Sequence, residues 1–551
     1  MNQESIDLLR ADLDAARFRV DVLDSLWGAD AAAALFRGRT LPARRSLDRA
    51  RADGAAPTAV EVLARLFVLG DRVSAGDLAL ALPRLGAVGA VSLGLVREAV
   101  DTASAAARGA EDGGVGGTGA RDDEGAGGKR GGDASGVFTA ALDLRPYSFI
   151  DSAGAGSWWI VSDLGEGALG RALDEDHVLG VGGASLTLSG LMIPTPVDSV
   201  LDLGTGCGIQ ALHASRHARR VVATDISHRA LELAAFNARL NGVTSIEFRH
   251  GSLFEPVAGE RFDRIVSNPP FVITPRVEGV PQYEYRDGGL VGDALVEQVV
   301  RGLGEHLVPG GIAQLLGNWE YRARTDGSVA DGLDRVRGWV QGAAVPVDAW
   351  VIERERQDAP TYAETWIRDG GTRPGTAAFD ALYAAWLDDF EARGVREVGF
   401  GYLFVRRPAA GATPTLARYE RVEAGLGSNP VGLGGHLARC LDGHDWQVAR
   451  TDDELLRGTL VHAGDITEER HYWPGADDPV VMTLRQGGGF ARSVSLGTAL
   501  AAFVGACDGE LSGAAICAAI AQVLEVDEGA LRVELLPSIR SLLDDAILLP
   551  A

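Results

Sequence analysis

Apolar residues recur at helical spacing through the first hundred positions. Thr58-Ala-Val-Glu-Val-Leu-Ala-Arg-Leu-Phe-Val-Leu carries them on one face and stops at Gly70. Asp71-Arg-Val-Ser-Ala-Gly-Asp-Leu then predicts a turn, with Ser74 as candidate N-cap of the next helix. Residues 1–106 therefore predict a helical N-terminal domain whose short helices and tight turns suit a winged helix or a small bundle. Between 107 and 136 the pattern collapses into Gly, Asp, Glu, Arg and Ala. Such a stretch cannot bury enough apolar surface to offset its ordering entropy, which predicts a disordered linker.

Alternating, strand-like segments resume at Val137, Ser157-Trp-Trp-Ile-Val-Ser among them. From Ser199 the pattern changes to short apolar runs separated by helical lengths: Val200-Leu-Asp-Leu, Val221-Val-Ala-Thr-Asp, Ser245-Ile-Glu-Phe-Arg and Arg264-Ile-Val-Ser. Runs of this kind mark parallel strands buried on both faces in βαβ units. Ile312-Ala-Gln-Leu-Leu, Asp348-Ala-Trp-Val-Ile and Val398-Gly-Phe-Gly-Tyr-Leu-Phe-Val supply later strands. The prediction is a doubly wound α/β domain over residues 137–410. Residues 411–551 predict a C-terminal α+β accessory domain, again suited to a winged helix. Its stretch Cys507-Asp-Gly-Glu-Leu-Ser-Gly-Ala-Ala-Ile echoes residues 70–82.

Composition narrows the function classes. A formal net charge of −24 opposes indiscriminate adhesion to nucleic acid or anionic membrane. Met1 is followed by polar and acidic residues, and no apolar run reaches the roughly 18 residues of a spanning helix, so a cytoplasmic protein without membrane partners is expected. Four scattered cysteines and ten scattered histidines suggest neither a disulfide framework nor a metal site.

The densest chemical signal is Leu201-Asp-Leu-Gly-Thr-Gly-Cys-Gly-Ile-Gln. A strand ends at Asp202, and Gly204, Gly206 and Gly208 let the backbone turn sharply and approach a ligand beside a helix N-terminus. About twenty residues on, Asp225 ends the next strand, where a carboxylate can accept both hydroxyls of a ribose. Dinucleotide enzymes use related loops, but the D-x-G-x-G-x-G form resembles motif I of class I S-adenosylmethionine (SAM)-dependent methyltransferases. The resemblance implies a Rossmann-like, seven-stranded core. It assigns SAM to Asp202, Gly204, Thr205, Gly206, Gly208 and Asp225, with Ile226 flanking the adenine. Ser252 stands where the family commonly has Asp, and Leu253 offers a backbone N–H beside it. Gly182, Gly183, Ser185 and Thr187 are candidate contacts at the methionine end, with a packed strand edge as the alternative. His177 is expected to be structural.

At the end of the fourth strand stands Asn268-Pro269-Pro270-Phe271. An amide or exocyclic amino nitrogen is a poor nucleophile because its lone pair is delocalised. Two acceptors, the Asn268 side-chain oxygen and the Pro269 carbonyl, can hold its two N–H bonds and aim the lone pair at a methyl group. Pro269 and Pro270 have fixed φ and no N–H, so the turn is stiff, and Phe271 can stack on a planar target. Alignment carries the step, without a strong base. The pattern resembles the NPP-aromatic signature of methyltransferases acting on glutamine amides, adenine N6 and guanine N2. Tyr283-Glu-Tyr-Arg-Asp-Gly-Gly-Leu resembles the corresponding stretch of the HemK/PrmC-type glutamine methyltransferases, although these usually carry Tyr at the place of Phe271. Arg286 and Asp287 become candidates for the acceptor pocket.

The expected partner is therefore a macromolecule: a translation factor, a ribosomal protein, or RNA or DNA. The basic cluster Arg37, Arg39, Arg44, Arg45, Arg49 and Arg51 beside Phe36 would suit phosphate, or be a solvated helix face. Trp158 and Trp159 are expected to pack in a sheet. The alternative is a SAM-binding regulatory or nucleic-acid-binding protein with little catalysis; Ser252 favours it and the intact Asn268 opposes it.

Overall fold

A computed structural model describes residues 2–52, 54, 56–99, 136–165 and 173–551. All of the expected linker except Gly136 lies outside the described residues. Among them, no helix is long and apolar enough to cross a membrane.

The N-terminal segment is helical, from Gln3–Ala15 through Gly86–Ser92. Thr58 caps the helix at Ala59–Leu63, and Ser74 caps Ala75–Ala81 by accepting the Asp77 amide at 3.1 Å. Both caps act as their residue types predict, satisfying donors left over in the first turn. Three short strands accompany the helices: Val73–Ser74 and Val96–Glu98 flank Val137–Ala140. The first strand after the linker thus pairs with the segment before it.

A hairpin follows, Asp143–Asp151 with Gly154–Ser162, and Trp158 and Trp159 lie in it as expected. Trp159 donates its indole N–H to the Phe18 carbonyl at 2.7 Å. Asn237, fully buried on the helix His228–Leu240, accepts the Val161 amide at 2.8 Å and donates to the carbonyls of Val161 and Cys207. The hairpin is thereby held between the N-terminal helices and the central sheet's helices. One hydrophobic cluster runs through all three, from Ile6 and Leu9 by way of Ile160 to Phe236.

The central sheet contains β1 (Val197–Leu203), β2 (Ala218–Asp225), β3 (Ile246–His250), β4 (Phe262–Ser267), β5 (Leu307–Arg322), β6 (Asp348–Asp358), β7 (Val395–Arg406) and β8 (Ala417–Arg421). Their order is β3-β2-β1-β4-β5-β7-β6-β8. Strands β1 to β4 run parallel to their neighbours, β5 is parallel to β4, and β7 is antiparallel to both β5 and β6. Chain order reverses between β1 and β4, so β1 and β4 end side by side, the place where open α/β sheets bind ligands.

Seven of these strands are those the apolar runs predict; the eighth is not. β8 adds in parallel to β6 from residues the sequence assigns to the accessory domain. Its end residues are exposed and its middle three only half-buried, and polar contacts anchor it: Arg421 Nε to Glu353 at 3.0 Å, and the Trp350 indole N–H to Glu420 at 2.7 Å. Such a strand has no apolar run to announce it.

Beyond β8, the helix Gly434–Val448 packs on the sheet through Leu437 and Cys440, against Leu188, Leu191 and Trp350. Leu433 donates its amide to the Gly190 carbonyl at 2.6 Å. The echo between residues 70–82 and 507–517 has a local counterpart: Ser512, like Ser74, ends a short strand and caps the helix that follows, Gly513–Leu524.

Candidate active site

A cavity of about 420 Å³ opens at the C-terminal ends of β1, β2 and β4. The loop after β1 forms its floor. Gly204 and Thr205 both donate to the Thr224 carbonyl at 2.9 Å, which ties the loop to the end of β2. Gly208 has φ of +86°, and a methyl group there would lie 3.0 Å from the Ala234 side chain. Both its conformation and its packing therefore require glycine. Asp202 is wholly buried behind this loop and accepts the Thr205 hydroxyl at 2.6 Å. Burial pushes its carboxyl up to about 7, against the pull of that hydroxyl.

Asp225 caps the next strand end. One carboxylate oxygen accepts the Gly206 amide and the other the Ser227 amide, both at 2.9 Å. Burial raises this carboxyl above its usual range, and the two amides oppose the shift. Ile226 beside it is 58% exposed and lines the cavity with Ser252 and Leu253. Leu253 holds a positive φ of 47°, unusual for a branched residue.

The turn after β4 supplies the opposite wall. Ser267 donates its hydroxyl to the Leu203 carbonyl at 2.7 Å, locking the ends of β4 and β1 together. Asn268, Pro269 and Pro270 all line the cavity. The Asn268 Oδ1 atom is buried and has no hydrogen-bond partner among the described residues. Gly288, with φ of +59°, fits against the Pro270 carbonyl, where a methyl group would approach to 2.7 Å.

Most of the residues the sequence singles out thus gather on one cavity: Gly204, Thr205, Gly206, Asp225, Ile226, Ser252, Leu253, Asn268, Pro269, Pro270 and Ser185. Asp202, Gly208 and Phe271 stand outside its wall. The Phe271 ring instead meets Phe400 at 5.4 Å and Trp366 at 6.4 Å, so its aromatic surface is engaged in packing.

Other expectations need correction. Gly182, Gly183 and Thr187 are not in the wall, and their segment is the start of a helix, Gly183–Leu191, rather than a strand edge. Arg286 and Asp287 do not line the acceptor pocket either. They are 6% and 4% exposed and bind each other at 3.0 Å. Asp287 also accepts the Thr274 hydroxyl at 2.6 Å, and Arg286 donates to the Trp366 carbonyl, so the pair pins the loop that follows Pro270. His177 does line the cavity, edge-on to Tyr285, with its imidazole held below the ordinary range by burial.

Sequence reasoning passed over Gln210, Glu284 and Tyr285, all in the wall. Each stands inside a stretch already marked by its motif. Only its side-chain direction was missing.

Glu284, in the cavity wall, is exposed and donates its amide to the Glu175 carbonyl at 3.1 Å; Glu175 and Asp176, also exposed, precede the wall residue His177. Leu179, Val277 and Val291 are exposed along the same segments. The nearby Arg276 spends its guanidinium on the carbonyls of Asp287 and Leu290. The basic cluster at Arg37–Arg51 is partly consumed: Arg44 pairs with Asp71 and Arg51 with Glu61, each at 2.8 Å.

The strand order, the glycine loop after β1 and the Asn-Pro-Pro turn after β4 are together those of the Rossmann-like methyltransferase fold. Residues 182–281 accordingly match the methyltransferase small domain family, and residues 15–107 match a domain of unknown function, DUF7059. The chain is similar to the ribosomal protein uL3 glutamine methyltransferase of Bradyrhizobium diazoefficiens, 38% identical over 128 residues that make up 21% of this chain and 40% of the relative. It is also similar to the release factor glutamine methyltransferase of Xylella fastidiosa, 40% identical over 133 residues, 22% of this chain and 48% of the relative. It therefore spans less than half the length of either. Among solved structures, the ribosomal protein L11 methylase of Lactobacillus delbrueckii is 21% identical, with a TM-score of 0.23, over 41% of this chain and 77% of that one.

Proposed function

We propose that the chain is a SAM-dependent N-methyltransferase whose acceptor is a glutamine side-chain amide in a protein of the translation machinery. The observation that carries the reading is the buried, unpartnered Asn268 Oδ1 on the wall of the cavity that the glycine loop and Asp225 also line. An unpaired buried acceptor is costly, and an amide N–H supplies what it lacks. The cavity's residues fit the cofactor: a sharp glycine floor, a carboxylate for ribose hydroxyls and exposed Ile226 for an adenine face.

Bound there, the cofactor supplies an electrophilic methyl group on a sulfonium sulfur. Asn268 and the Pro269 carbonyl hold the two N–H bonds of the acceptor. They would aim the acceptor's lone pair at that methyl group, and the acceptor would give up one of its N–H protons to solvent. Ser267 and the stiff proline turn keep these acceptors in place, so the barrier falls through alignment and fixed dipoles. His177 and Tyr285 exclude water from the same wall.

Two observations favour a polypeptide over a nucleobase. The curated relatives are named for glutamine methylation of proteins. The exposed carboxylates of Glu284 in the wall and of Glu175 and Asp176 beside it would repel a phosphate backbone.

The test is transfer of tritiated methyl from SAM by the purified protein into a lysate of cells that lack it. Protease-sensitive label, located by mass spectrometry on a glutamine side chain, is the expected result. Nuclease-sensitive label would replace the acceptor by a nucleobase. No label despite SAM binding would favour the regulatory reading instead.

A further inference from the structure

Gln210 has a place in the cavity wall that the motif alone does not explain. It is 3% exposed, on the helix Ile209–Ala214 that follows the glycine loop. Its Nε2 donates to the Ser185 carbonyl at 2.8 Å. That partner accepts only, so it fixes which end of the amide is nitrogen and turns the oxygen the other way. The oxygen, Oε1, is buried and has no partner among the described residues.

A group that completes Gln210 must therefore donate. Two other unpartnered buried atoms line the same cavity, Asn268 Oδ1 and Thr224 Oγ1. The first is the acceptor assigned above to the substrate amide, and the second is a hydroxyl that can itself donate. Gln210 Oε1 is left, on the helix that follows the loop Gly204–Gly206 and away in sequence from the nucleoside residues Asp225 and Ile226. Within SAM, the group outside the nucleoside that carries several N–H donors is the α-ammonium of its amino-acid end.

We propose that Gln210 is a specificity residue for the cofactor, its Oε1 accepting the α-ammonium of the methionine moiety while Nε2 holds Ser185 beside it. The inference rests on the SAM-binding reading of the site. It makes the protein select ligands that carry the amino group and discriminate against the bare nucleoside thioether.

Calorimetry on the full chain tests this with three probes: SAM, its analogue with a keto group in place of the amine, and 5′-methylthioadenosine, which has no amino-acid end. Gln210→Met removes the acceptor at similar volume and should weaken SAM by about tenfold to a hundredfold, the range of a hydrogen bond to a charged group. It should leave methylthioadenosine and the keto analogue within about twofold of their wild-type affinities. Gln210→Glu keeps an acceptor but loses the donor that holds Ser185, and should bind SAM more tightly than Gln210→Met. If Gln210→Met does not fold, the wild-type protein still decides, since the keto analogue should bind it at least about tenfold more weakly than SAM.

Equal losses for SAM and methylthioadenosine in Gln210→Met, or no loss for either, would overturn the proposal. So would equal affinity of the wild type for SAM and the keto analogue. Wild-type protein that binds none of the three would instead overturn the methyltransferase reading on which this rests.

Discussion

Asn268→Ala separates a residue that holds substrate from one that holds the turn. Its Oδ1 is buried and bonded to nothing among the described residues, so the cofactor-free protein loses no hydrogen bond to that oxygen when it is removed. An unsatisfied buried acceptor costs about 1–3 kcal/mol, and deleting it offsets the small void left behind. Stability should therefore stay level or rise, with a melting temperature within about 4 °C of wild type or above it. Transfer should behave oppositely. Losing one preorganised acceptor at the reacting nitrogen costs about 3–4 kcal/mol of transition-state stabilisation, or about 10²–10³-fold in single-turnover rate. SAM affinity should change by no more than a few-fold. The assay pairs single-turnover methyl transfer with SAM calorimetry and a thermal melt of the same preparation. A rate loss accompanied by a comparable fall in melting temperature would refute the reasoning, because it would make Asn268 a support of the β4 turn.

Two further outcomes follow from the buried polar groups around the glycine loop. Burial raises Asp202 from 3.8 to about 7, so the folded state holds its proton more tightly than the unfolded state between those values. Stability is therefore lost as pH rises through that window and is lowest above it; Asp202→Asn should gain up to about 4 kcal/mol over wild type at pH 8 and progressively less towards pH 5. Urea midpoints at both pH values check this, and a pH-independent difference would contradict the titration. Asn237→Leu strands the Val161 amide and the carbonyls of Val161 and Cys207, and should cost about 3–5 kcal/mol while weakening SAM. An unchanged urea midpoint would show that this bridge does not hold the loop.

The fold was legible where burial is symmetric. Val200–Leu203, Val221–Thr224 and Arg264–Ser267 are buried on both faces and read as short, apolar-rich runs, so these strands stand out. β8 is polar and edge-placed, held by Arg421 and Glu420 to partners about seventy residues away, and no local pattern encodes such contacts. The site divided in the same way. Gly208 and Asn268 announce themselves because a backbone geometry or a stiff turn demands their residue type. Arg286 and Asp287 misled because charge in a motif suggests a ligand, whereas here each neutralises the other out of the solvent. Gln210 and Tyr285 were invisible as site residues because a side chain's direction depends on the helix and loop that carry it, not on its neighbours in sequence.

The backbone contact between Gly190 and the segment Gly432–Gly434 bears on solubility. A methyl group at Gly434 would collide with the Met192 carbonyl, and Leu433 is bonded to Gly190, so the two segments meet main chain to main chain. Cutting the chain after residue 410 would uncover Leu188, Leu191 and Trp350. It would also bare the full outer edge of β6, a row of unpaired N–H and C=O groups with nothing left to cover it. A naked edge beside an apolar patch is a template for strand addition by another copy. Residues 411–551 thus cover an edge and an apolar patch that would otherwise be open to strand addition.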